Sequence, residues 1–133
     1  MIYPVFIMVL LTLVIGVVAF FSRVNSVKAR QIKPQAYKLM DAENYPESVI
    51  KSTRCFNNQF EVPVLFYVGC LSYLILDVSS MLGLFFAWAF VGLRIVHACI
   101  HLTYNHLLHR IIAFWSAIFM VLGLWLTLMA AMM

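Results

Sequence analysis

Charge is what this chain has least of. Charged side chains make up 11% of its 133 residues, where a soluble domain carries roughly a quarter, so a water-soluble fold is excluded. Cysteine is almost as scarce. Cys55, Cys70 and Cys99 lie in or beside apolar segments without zinc-ligand or disulfide-framework spacing, which leaves them as packing residues of an apolar interior. No internal repeat or low-complexity stretch is visible. No basic residue precedes the first apolar run, Ile2 to Ser22, and that run has the length of a full span, so a retained helix is expected there and not a cleaved leader. A net charge of +4 could hint at nucleic acid, but seven of the nine Lys and Arg lie between Arg23 and Arg54. That clustering is how membrane proteins are oriented, and no nucleic-acid partner is expected.

What is present in abundance is apolar length, since 65% of the residues are hydrophobic. A membrane span takes roughly 20 mostly apolar residues, and an open sheet cannot satisfy its backbone in lipid. The chain therefore reads as an all-α membrane bundle with spans at about 2–22, 53–76, 81–105 and 110–131. Residues 23–52 form the one long polar loop, carrying Lys28, Arg30, Lys33, Lys38, Asp41, Glu43 and Glu47 beside Pro34 and Pro46. Asp77, Ser79 and Ser80 mark a short turn that makes spans two and three an antiparallel hairpin, and His106 to His109 form a second tight connection. Since the long loop is basic and the Asp77 turn has no Lys or Arg, the loop is expected in the cytoplasm and both termini on the opposite side. Trp88, Trp115 and Trp125 read as packing or interface anchors. These segments use nearly the whole length, so one domain spanning 1–133 is expected.

The residues that lipid would not tolerate carry the functional signal. Span two opens with Arg54, Asn57, Asn58 and Glu61, at offsets 0, 3, 4 and 7, which share one helix face within roughly 100°. Span three carries Arg94, His97, His101 and Tyr104, at offsets 0, 3, 7 and 10, on a face about 80° wide by the same geometry, and Asn105 borders it. A rise of about 1.5 Å per residue puts Glu61 and His97 roughly 12 Å and Arg94 roughly 16 Å from the cytoplasmic end. The acid and the bases are thus expected at one level, either as a register-fixing Glu61–Arg94 ion pair or, as the number of converging polar groups favours, lining a pocket. An intramembrane charge costs about 2.5–3.5 kcal/mol even on the mildest scale, so it marks function by default. Pro63 is expected to free the carbonyl of Gln59 and kink span two beside the stripe. His97 and His101 stand one turn apart, a spacing that can bind zinc, but without a glutamate in the zinc-protease position no metal is expected.

The segment Arg54-Cys-Phe-Asn-Asn58-Gln-Phe-Glu61-Val-Pro63, followed by Arg94-x-x-His97-x-x-x-His101 and Arg110, resembles the membrane-associated eicosanoid and glutathione metabolism family, MAPEG. Its Arg-x-x-x-Asn-x-x-Glu motif is matched by Arg54, Asn58 and Glu61, and the run Asn-Gln-Phe-Glu-x-Pro particularly resembles its bacterial branch. The resemblance covers essentially the whole chain. It implies a homotrimer of four-helix bundles, in a bacterial inner membrane, with glutathione as co-substrate bound between neighbouring subunits near the cytoplasmic face and a lipophilic second substrate arriving from the bilayer lipids. Arg54, Asn58, Glu61, Arg94 and His97 would hold glutathione, with His101 and Tyr104 on the same stripe, and Arg110 matches the arginine that stabilises the thiolate. Arginines for its two carboxylates and a carboxylate for its amine are the groups that ligand calls for. Two departures limit the transfer: His101 stands where several eicosanoid-making members have tyrosine, and Pro63 follows the glutamate one residue early. The implied function is a glutathione-dependent transferase or peroxidase for lipophilic electrophiles or lipid hydroperoxides. The alternative is a non-catalytic membrane subunit, part of a larger complex, or a lipid-binding protein that keeps the pocket. Arg110 could also be an ordinary basic anchor of the last helix.

Overall fold

A computed structural model describes residues 1–39 and 45–133; Asp41 and Glu43 of the polar loop lie outside the described residues. The described residues are helical: α1 (Ile2–Lys28), the short α2 (Ala36–Leu39), α3 (Glu47–Asn57), α4 (Val62–Ile75), α5 (Met81–Leu102) and α6 (Leu107–Met132). Three of them, α1, α5 and α6, are long and apolar enough to cross a membrane. The fourth rod is composite. Helix α4, at 14 residues, spans only about 21 Å, and α3 lengthens it through a 3-10 turn at Asn58–Phe60.

The helix limits differ from the sequence expectation where capping overrides hydropathy. Helix α1 continues past Ser22 to Lys28 and closes with the Gln31 N–H donating to the Ser26 carbonyl at 3.0 Å around Arg30, whose φ is 55°, a Schellman closure. The polar loop is correspondingly shorter, and Glu47 is not in it: it opens α3 and pairs with Lys51 at 2.7 Å. Helix α5 stops at Leu102 and α6 starts at Leu107, so Tyr104 and Asn105 belong to the connection while His109 and Arg110 are in the first turn of α6. The Asp77 turn is as short as expected. Asp77 sits at φ 51°, a left-handed position that aspartate tolerates, and the Ser80 hydroxyl caps α5 by accepting from the Gly83 N–H at 3.0 Å.

Inside the bundle, α5 packs along α6, α4 along α6, and α3 against both α1 and α5. One core joins Met8, Phe66, Tyr73, Phe90, Val121 and Leu124 among others; Phe66 and Phe90 stack at 4.5 Å, worth about 0.5–1.5 kcal/mol beyond area burial. A smaller cluster of Ile15, Cys55 and Ala98 lies nearer the polar loop. Cys55 and Cys70 are buried and Cys99 is exposed, all three as free thiols. Close approach explains one glycine directly: a Cβ on Gly123 would come within 2.6 Å of the Phe86 ring. The outer faces carry large apolar side chains such as Leu13, Phe20, Phe85 and Trp115, each more than half exposed, which is the surface of a protein dissolved in lipid. Trp125 is the anchor with a polar tie, donating from Nε1 to the Leu65 carbonyl at 3.1 Å.

Candidate functional site

The site grows out of the broken rod. The expected kink at Pro63 is a full break: α3 ends at Asn57, a 3-10 turn follows, and α4 restarts at Val62 with Pro63 as its second residue. Proline is at home there because an N–H in the first helical turn has no partner within the helix anyway. Backbone carbonyls at such a break need other donors. Arg94 supplies one, its Nη2 donating to the Asn58 carbonyl at 2.8 Å. Gln59 supplies another, its Nε2 donating to the Cys55 carbonyl at 3.2 Å.

Arg94 is fully buried, and His97 and His101 follow it on the same face of α5 at 2% and 1% exposure. Their polar atoms are far from satisfied. Nε and Nη1 of Arg94, Nδ1 of His97 and both ring nitrogens of His101 are buried without hydrogen-bond partners, as is Nε of Arg110. A buried polar group without a partner is costly. Five such atoms lie on three successive turns of one helix, which makes this face of α5 the candidate site. Half-buried Arg110 approaches from α6, its Nη1 donating to Asn105 Oδ1 at 2.9 Å; the left-handed Asn105, φ 51°, presents that acceptor.

The two stripes do not close into one pocket within a single chain. Arg54, Asn57 and Glu61 are exposed on the outside of the rod, and Asn58 is half-buried. No ion pair joins Glu61 to Arg94: the break rotates Glu61 outward, with φ −100° and ψ −103°, while Arg94 points inward to the backbone. The expectation that acid and base share an interior cavity is therefore corrected; the acid lies on an outer face and the base in the core. Tyr104 also leaves the stripe. With α5 ending at Leu102, it is 61% exposed and pairs with His109, Oη to Nδ1 at 3.0 Å. A hollow of about 570 Å³ between α1 and α3 is lined by Ser22, Asn25, Ser48, Lys51 and Ser52 with apolar neighbours, and none of the expected ligand residues borders it. Among the described residues no group of three or more His, Cys, Asp or Glu could hold a metal ion.

A four-rod membrane bundle with this motif-bearing second rod can be compared with known families, and residues 1–130 match the model of the MAPEG family. The chain belongs to the MAPEG family. Comparison with curated proteins and with solved structures yields no match. MAPEG proteins generally use glutathione, and the family includes both glutathione-dependent transferases or peroxidases and non-catalytic members. In this MAPEG chain the motif residues divide between core and outer face, a division that sequence spacing did not reveal. Two further polar residues, not singled out by spacing, tie the rods together. Gln59 sits inside the quoted motif, and its neighbour Pro63 was the available signal for a break that would need such a side chain. Arg23, which the sequence places with the loop charge, joins α1 to α3 by donating to Thr53 Oγ1 at 3.2 Å.

Proposed function

We propose that the protein is a membrane-bound, glutathione-dependent transferase or peroxidase acting on lipophilic electrophiles or lipid hydroperoxides. The observation that carries this reading is the set of buried guanidinium nitrogens without partners, Nε and Nη1 of Arg94 and Nε of Arg110. Charge-assisted bonds to carboxylates are the strong way to satisfy such donors. Glutathione has two carboxylates and one ammonium, and the residue types fit it: Arg94 and exposed Arg54 for the carboxylates, Glu61 for the ammonium, and Asn58, His97, His101 and Tyr104 for its amide and thiol surroundings.

When bound, glutathione would supply the sulfur that attacks an electrophile or reduces a hydroperoxide. Arg110 has the task of holding negative charge at that sulfur. Lowering a thiol by two pKa units from its ordinary value near 8.5 takes roughly 2.7 kcal/mol, within reach of a half-buried guanidinium. Arg94 positions the rod break through Asn58 and keeps two donors for the ligand. Because Arg54 and Glu61 face outward, the reading includes a homotrimer in which a second copy covers them and completes the site. The loop at residues 23–52 is assigned to the cytoplasm, both termini to the opposite side, and the membrane to a bacterial inner membrane.

A second reading is favoured by one observation, the Arg110–Asn105 hydrogen bond. It makes Arg110 a structural tie of the α5–α6 connection, as in a non-catalytic subunit or lipid-binding protein. Turnover of a generic aromatic electrophile in detergent separates the two. Glutathione-dependent activity that Arg110→Ala abolishes supports the enzyme; stable co-purification with a larger complex and no turnover supports the subunit.

A further inference from the structure

At the end of the bundle that carries the polar loop, the hollow of about 570 Å³ between α1 and α3 changes character along its length. Its deeper wall is apolar, made by Val17, Val18 and Phe21 of α1. Val17 and Phe21 are 53% and 55% exposed, so this wall opens onto lipid. Further along α1 the lining turns polar at Ser22 and Asn25, and α3 adds Ser48 and Lys51; from Val17 to Asn25 the helix rises about 12 Å. The Ser22 hydroxyl is buried without a hydrogen-bond partner among the described residues, although a helical serine can bond the carbonyl four residues back. Lys51 is the one cation among the described residues that line the hollow. Its side chain is 21% exposed and its Nζ meets Glu47 at 2.7 Å, which uses one of the three donors of an ammonium.

We propose that this hollow holds one phospholipid, whose phosphodiester accepts hydrogen bonds from Lys51, Ser22 and Asn25 and whose acyl chain lies along Val17, Val18 and Phe21. A hollow that is polar at one end and apolar at the other suits an amphiphile. A soluble anion leaves the apolar wall uncovered, and a plain hydrocarbon leaves the Ser22 hydroxyl unsatisfied. One ammonium matches the single negative charge of a phosphodiester, and a basic pocket between helices at the membrane edge is where phospholipid head groups are bound. The site is separate from the residues assigned to glutathione, none of which lines it. Ser48 and Ser52 lie about 120° and 160° around α3 from Arg54, so the copy that covers Arg54 in the proposed homotrimer leaves this side to the bilayer. The lipid bridges α1 and α3, and so steadies the rod that carries Arg54 and Asn58.

The test is native mass spectrometry of the full chain, released from detergent without glutathione. Three probes are compared: dioleoylphosphatidylglycerol, dioleoylglycerol with the same chains but no phosphate, and inorganic phosphate. One phosphatidylglycerol per chain is expected to stay bound, roughly tenfold more tightly than dioleoylglycerol, the ratio expected of a charge-assisted hydrogen bond, and inorganic phosphate should not be retained. Lys51→Met should erase the preference for the phosphate-bearing lipid. Ser48→Glu should erase it too, by setting a carboxylate against the phosphate in the first turn of α3, where the helix dipole favours an acid and the fold is kept. Arg54→Ala should leave it unchanged. Equal retention of the two lipids, retention of inorganic phosphate as tight as that of the phospholipid, or a preference that survives Lys51→Met or Ser48→Glu overturns the proposal. A preference lost in Arg54→Ala also overturns it, because the phosphate would then sit on the motif residues. Should Lys51→Met fail to fold, Ser48→Glu decides alone.

Discussion

Replacing Arg94 with methionine separates a ligand-binding arginine from a structural one. Arg94 is fully buried and makes one hydrogen bond, to the Asn58 carbonyl at 2.8 Å, while two of its nitrogens have none. The substitution gives up a charge-assisted bond worth about 1.5–3 kcal/mol and recovers the burial cost of a charge, about 2.5–3.5 kcal/mol in a membrane interior. Methionine keeps the aliphatic stem and adapts to the space. The unliganded variant should therefore lie between about 0.5 kcal/mol less and 2 kcal/mol more stable than the parent. Glutathione should behave in the opposite way. At a hundred times its Kd it adds about 2.7 kcal/mol to a protein that binds it, and it should add nothing to Arg94→Met. Thermal unfolding in detergent, followed by circular dichroism with and without glutathione, reads both quantities. A loss of about 3–5 kcal/mol without ligand is what breaking a compensated buried charge network costs, and it would refute the reasoning. So would a variant that keeps the full glutathione shift.

Three further predictions probe other links. Arg110→Ala should lower glutathione-dependent kcat/KM most at low pH, approaching the hundredfold that two pKa units are worth near about pH 6, with the gap narrowing above about pH 8.5 as the free thiol ionises unaided; a pH-independent deficit would mean Arg110 acts by position alone. Gly123→Ala places a Cβ 2.6 Å from the Phe86 ring, so the α5–α6 packing should lose about 1–3 kcal/mol. The loss should shrink in a Phe86→Ala background, and an unchanged loss there would point to some other cause. Tyr73→Phe removes the hydroxyl bonded to Thr127 Oγ1 at 2.7 Å and to the Leu124 carbonyl at 3.2 Å, costing about 1 kcal/mol in melting experiments. The cost stays small because Thr127 keeps its own bonds to the Gly123 and Leu124 carbonyls, and a loss several times larger would contradict this.

The solvent of this protein and the number of its helical rods were legible in the sequence, because apolar runs of membrane length have no other stable use. The motif spacing around Arg54, Asn58 and Glu61 was legible too, and with the Arg94 to Arg110 segment it carried the family. Helix ends were less so: hydropathy ends α1 at Ser22, whereas backbone capping carries it to Lys28. The inward face of α5, with Arg94, His97 and His101, followed from helical periodicity, but which neighbour would satisfy Arg94 did not. Spacing assumes an unbroken helix. Once the chain breaks at Asn58–Glu61, residues that a continuous helix would align are turned apart, Glu61 outward and Gln59 into the core, and a backbone carbonyl is freed that answers Arg94 in place of the acid. Such an exchange of partners depends on which donors tertiary packing brings to the break, and no pattern along the chain encodes it.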